Sequence, residues 1–230
     1  MSDRLLDDVA ALPPPAAPPL GAALEAELAG LAPVPTRRPA RQLAILVGIS
    51  LIYGAGLVVV LSTRRDMLDL PMGWLAVAGA AWLGGFLVPA YVALVPRRGS
   101  MMPRWPVLAV AAIASSIGFV LLGALVHPSG EHSRQLNWEH FPQGHGCLEL
   151  GLLTALVPVT IGAIFLRGVL PVGARWVAAG LGAGGGCLGG LVLHLHCPIT
   201  DGPHVALMHA GAVGVAALLS AALVPRATRR

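Results

Sequence analysis

Three cysteines and eight histidines are the residues of this chain best suited to redox or metal chemistry. They are grouped. His127, His132, His140 and His145 fall in one polar stretch that ends at Cys147, and His194, His196, Cys197 and His204 form a second group. Two thiols meeting in an oxidising compartment can close a disulfide whose state reports the redox environment. Thiolate together with imidazole is also the donor set that suits zinc or copper. Local spacing does not decide between these chemistries, because HLHC at 194–197 is not a recognised metal signature and there is no C-x-x-C. His194, His196, His204 and His209 are the candidate ligands of a transition-metal ion, the one cofactor these residues suggest. His127, His132 and His140 read more simply as polar loop residues, and Cys187, set among glycines, as a small apolar filler. Catalysis finds little support. No H-E-x-x-H or G-x-S-x-G occurs, and Glu149 is the sole acidic residue within an apolar run.

The elements that carry these residues are of membrane length. The 230 residues are 56 % hydrophobic and only 11 % charged, with a mean hydropathy of +0.76. Soluble chains run about 45–50 % apolar with about a quarter of residues charged. A membrane-crossing helix needs ~20 mostly apolar residues, and the stretches 43–62, 73–95, 107–126, 147–166, 176–195 and 204–224 meet that length. Unbroken apolar runs select helices rather than the alternating strands of a closed barrel. No positive stretch leading into an apolar core stands at the N-terminus, so no cleavable signal peptide is expected. The predicted fold is an all-α integral membrane bundle of six transmembrane helices over 43–226, preceded by a short, mostly flexible tail at 1–42.

Charge placement orients the bundle. The net charge of +4 comes from fifteen basic residues, all Arg. They are not interleaved with aromatics on one face, which argues against direct binding of nucleic acid. Twelve lie in the N-tail, the 96–106 and 167–175 loops and the C-tail, and three (Arg64, Arg65 and Arg134) in the alternate loops. The positive-inside rule then puts both termini in the cytoplasm. Cys147 and Cys197 reach one outer surface from different helices, where a plain disulfide and a sensing pair are equally open readings. His209 falls inside the sixth span and demands a polar partner or a cavity. The fifth span carries seven glycines, and the pairs 180/184, 182/186, 185/189 and 186/190 read small-xxx-small. Tight packing within the bundle is the first reading of that pattern; a homodimer through this helix is the second.

The tail differs in kind. A Pro-rich spacer at 13–19 stops helix, and beyond it Leu20, Leu24, Leu28 and Leu31 form one apolar stripe opposite Glu25 and Glu27. A twelve-residue helix is marginal alone in water. Its acidic polar face argues against lipid binding, which favours Lys or Arg there, and leaves docking in a partner's groove or a loosely attached tail.

Three further stretches carry a resemblance: LAGLAPVPTRRPARQ at 28–42, GCLELGLLTALVPVTIGAIFLRGVLPVGARWVAAGLGAGGGCLGG at 146–190, and LHLHCPITDGPHVALMHAG at 193–211. In these the chain resembles the NrsF-like negative regulators of sigma-F, six-helix anti-sigma factors of the bacterial inner membrane. The resemblance implies that the cytoplasmic segment holds an extracytoplasmic-function sigma factor; combined with the apolar stripe, this makes Leu20, Leu24, Leu28 and Leu31 the expected contacts. It also implies that an outer cysteine pair, matching Cys147 and Cys197, takes part in sensing a redox or metal signal, a stress response in outline. LRGVLP departs from the family pattern in carrying one Arg where two are usual, and Met208-His209 in lacking an aromatic. The alternative function is a small inner-membrane transporter or a metal-binding membrane protein using the outer Cys/His cluster.

Overall fold

A computed structural model describes residues 21–30, 37–95, 103–125, 138, 141, 144–168 and 173–228. The chain divides into two units, Met1–Arg37 and Arg38–Arg230. In the first, α1 spans Ala22–Gly30, with Leu24 exposed and Glu25 in the first turn. The side chain of Leu28 lies outside the described residues. Leu20 and Leu31 lie outside the described residues, as do His127, His132 and His140.

The second unit holds α2 (Pro39–Leu61), α3 (Met72–Leu94), α4 (Trp105–Leu125), α5 (His145–Leu166), α6 (Ala174–His196) and α7 (Gly202–Thr228). All six are long and apolar enough to cross a membrane. The sequence places the first span at 43; the helix starts at Pro39, because proline fits a first turn whose N–H groups have no intrahelical acceptor. Gly173 precedes α6 with φ of 82°, and a Cβ there would meet Trp105 at 2.3 Å, so glycine alone fits.

The bundle is built around α6. Every residue from Val177 to Gly190 is buried. Its glycines are spent on four different neighbours rather than on one seam. A Cβ at Gly182 would stand 2.3 Å from the Ala216 carbonyl on α7, one at Gly189 2.4 Å from the Gly151 carbonyl on α5, one at Gly190 2.3 Å from the Trp82 ring on α3, and one at Gly180 2.7 Å from Leu108 on α4. The small-xxx-small faces that a second copy would need are therefore occupied within the same chain. Apolar side chains left outside, among them Ile52, Val59, Val77, Val110, Ile117 and Leu218, point away from this core, as lipid-contacting residues must in the absence of water.

Candidate functional site

At the end of the bundle where α6 stops and α5 and α7 begin, Cys147, Cys197, His204 and His209 converge. Cys147 lies in the first turn of α5, which Gly144 caps by accepting from the Cys147 N–H at 3.0 Å. Cys197 ends α6, its N–H bonded to the Leu193 carbonyl at 2.8 Å and its backbone extended so that the chain leaves the helix at Pro198. His204 sits in the opening turn of α7, behind Gly202 and Pro203. The segment Val205–His209 then widens into a π turn, closed by the Ala210 N–H on the Val205 carbonyl at 3.0 Å.

That turn decides where His209 goes. At 3.6 residues per turn, positions five apart on an α-helix differ by about 140° and face away from each other. Bonding from i to i+5 brings them back to one face. The rings of His204 and His209 accordingly meet edge-on, with centroids 5.1 Å apart.

The Cys147 thiol lies 3.7 Å from Cys197 Sγ, and His204 Nε2 3.5 Å from the same sulfur. One donor atom from each of the four residues lies within 4.8 Å of all the others. Cys197, His204 and His209 are buried, and Cys147 is half-buried. The hydrogen bond from Cys147, reinforced by His204 beside it, holds the Cys197 thiol well below its ordinary pKa, against the opposing effect of burial. His209 also lines an apolar cavity of about 410 Å³ that it shares with Arg64, Trp74, Trp82, Phe119 and His194.

The sequence reading groups His194 and His196 with His204 and His209 as metal ligands, and the structure separates them. His194 is buried with Nε2 3.2 Å from the Leu75 carbonyl and its ring 4.9 Å from Trp74. His196 Nδ1 lies 2.8 Å from the Ser62 carbonyl. His194 ties the end of α6 to the first turn of α3 and His196 ties it to the α2–α3 connection; both stand outside the four-residue cluster. Cys187 is wholly buried in the core, its sulfur against Gly85, a packing residue.

Arg64 is the residue that sequence reasoning undervalues. Counted there only as a loop charge, it is 4 % exposed and grips Asp66 with two nitrogens at 2.7 and 2.8 Å. It also donates to the carbonyls of His194 and Pro198 at 3.4 and 3.3 Å, while its own N–H reaches the Leu195 carbonyl at 2.9 Å. A cation thus covers the carbonyl end of α6, where the helix dipole is negative, and fixes the turn that presents Cys197. Arg64 in turn holds the Asp66 carboxyl below its usual range. Gly144 and Gly123 are the other missed residues. A Cβ on Gly144 would stand 2.5 Å from Met208, and one on Gly123 3.0 Å from the Ala206 nitrogen, so both glycines let neighbours press against the π turn.

A family model described as negative regulator of sigma F matches residues 28–229. The chain belongs to that family. The match begins at Leu28 and takes in all six spans and every residue of the cluster. Comparison with curated proteins and with solved structures gives no match. At the level of the family, this negative regulator of sigma F is an anti-sigma factor whose partner is a sigma factor.

Proposed function

We propose that the protein is anchored in the bacterial inner membrane with both termini in the cytoplasm and holds an extracytoplasmic-function sigma factor through its N-terminal segment. The observation that carries this reading is the family match over 28–229. The 12-to-3 distribution of Arg between alternate loops supports the orientation. Leu20, Leu24, Leu28 and Leu31 are the anchors. Burying each in a groove contributes about 1.5–3 kcal/mol before the helix-ordering cost is subtracted.

The release signal enters at Cys147 and Cys197. An oxidant of the peroxide class would take two electrons and two protons from the pair and leave a disulfide. The 3.7 Å contact requires only a small closing movement to reach the bonded length of about 2.05 Å.

Full-length protein in detergent, reduced, is expected to retain its cognate extracytoplasmic-function sigma factor, and Leu24→Asp with Leu28→Asp to lose it. Retention unchanged by both substitutions would place the contact elsewhere. In cells, Cys147→Ser and Cys197→Ser are each expected to alter induction of the sigma-dependent reporter by oxidant. Parent-like responses from both would leave the pair a packing feature.

A further inference from the structure

The spacing of the cluster fits a bound ion better than a pair of idle thiols. We propose that Cys147, Cys197, His204 and His209 form a closed, four-donor tetrahedral site for a divalent ion of the zinc type. With metal–sulfur bonds of about 2.3 Å and metal–nitrogen bonds of about 2.0–2.1 Å, a tetrahedral ion sets its two sulfurs about 3.8 Å apart and a sulfur and a nitrogen about 3.6 Å apart. The corresponding separations here are 3.7 Å for Cys147 Sγ to Cys197 Sγ and 3.5 Å for Cys197 Sγ to His204 Nε2. His209 completes the set within 4.8 Å.

A second, independent observation points the same way. His209 is 4 % exposed, and its Nε2 is buried with no hydrogen-bond partner among the described residues. Leaving a buried ring nitrogen unpaired is costly, and coordination removes the cost. The π turn is what delivers this imidazole, and such turns recur where helices are shaped for function.

Charge selects the ion. Two thiolates and a divalent cation sum to zero, so the filled site can remain buried without an uncompensated charge. A monovalent ion would leave the site negative. Thiolate and imidazole together suit zinc, whereas calcium and magnesium prefer oxygen donors. The four protein donors leave no open position, the pattern of a structural rather than a catalytic zinc. An ion so held clamps the start of α5, the end of α6 and the π turn of α7 to one another. Its role as a signal rests on the reading given above; its binding does not.

The test uses the full-length, reduced protein in detergent with Co2+ as a spectroscopic probe. One equivalent is expected to bind with thiolate-to-cobalt charge transfer and the intense visible bands of a tetrahedral ion, and Zn2+ is expected to displace it. His209→Gln and Cys197→Ser should each weaken binding by more than about 100-fold, beyond the 10–100-fold typical of losing an outer-shell partner. His196→Gln, outside the cluster, should leave it unchanged. Parent-like binding by His209→Gln, or the weak bands of a six-coordinate ion, overturns the site. X-ray absorption at the zinc edge of the unmutated protein guards against variants that misfold: two sulfurs and two imidazoles are expected, and a shell lacking either overturns the proposal. Failure of these measurements leaves sigma-factor retention standing, and failure of retention leaves these measurements standing.

Discussion

Between Val177 and Gly190, α6 is buried by shape; from His194 to Cys197 the end of the helix is held by hydrogen bonds and charge. In the middle, seven glycines let four other helices press backbone or side chain directly against the backbone of α6. No polar side chain is needed there. At the end, Arg64, His194 and His196 cover carbonyl groups, and Cys197 meets an imidazole and a second thiol. The first kind of burial leaves little room for added atoms, and its one thiol, Cys187, is sealed in the core. The second is held by groups that can exchange protons, electrons or a metal ion, so it is where a signal can alter the packing of a membrane bundle.

The largest effect expected from breaking this contrast is in the middle. Gly189→Leu drives a side chain into the Gly151 backbone, which cannot swing away as a side chain would. Overpacking typically costs about 1–3 kcal/mol, and more where the backbone must move. Thermal melts in detergent should show little or no folded Gly189→Leu protein. Gly184→Ala, whose nearest neighbour would be 3.3 Å away, should melt near the parent. Equal behaviour of the two would refute burial by shape.

Arg64→Ala comes next. It uncovers Asp66 and the carbonyls at the end of α6, and hydrogen bonds to charged groups are worth about 1.5–3 kcal/mol. Arg64→Lys should recover only part of this, lacking the two-pronged geometry. A full recovery would show that charge alone matters there.

Cys147→Ser should shift stability by about 1 kcal/mol or less, as expected at a half-buried position, while abolishing the oxidant-dependent gel shift of the Cys147–Cys197 pair. A persisting shift would implicate Cys187. The smallest effect is acid sensitivity. Asp66 titrates below its ordinary value of 3.8 in the folded protein. The stability it contributes is therefore complete above that value and is lost as the pH falls through the folded pKa. Melts at decreasing pH should show this loss in the parent and not in Asp66→Asn. The middle of α6 has no acidic or imidazole group and adds no such slope.

How much of this was legible in the sequence follows from the kind of information each feature needs. Six spans are legible because length and apolarity alone decide whether a helix can lie in lipid. The glycines announce close packing, yet their partners are fixed by the arrangement of the other helices, which local spacing does not encode. His194 and His196 stand next to Cys197 along the chain but not in the cluster, because α6 continues as a helix to His196 and turns away only at Cys197. His209 lies twelve residues beyond Cys197 in sequence and joins it in space through a turn whose residues, VALMH, look like ordinary α-helix. Arg64 reads as a loop charge because nothing in RRD says which carbonyls it will cover.

The π turn makes the cluster a matter of chain length as well as of composition. Val205–His209 contains one residue more than an α-helical turn would use. Deleting a single residue between His204 and His209 would allow an ordinary helix to close. The apolar run would remain long enough to span the bilayer, and all four cysteine and histidine side chains would still be present. Their meeting would then rest on an ordinary four-residue spacing, with no widened turn. Four intervening residues place the two imidazoles on one face only by way of the π turn, whereas the same four in a regular helix would set them about 140° apart. In this protein the number of residues at that point, and not only the reactive side chains, decides which face His209 occupies.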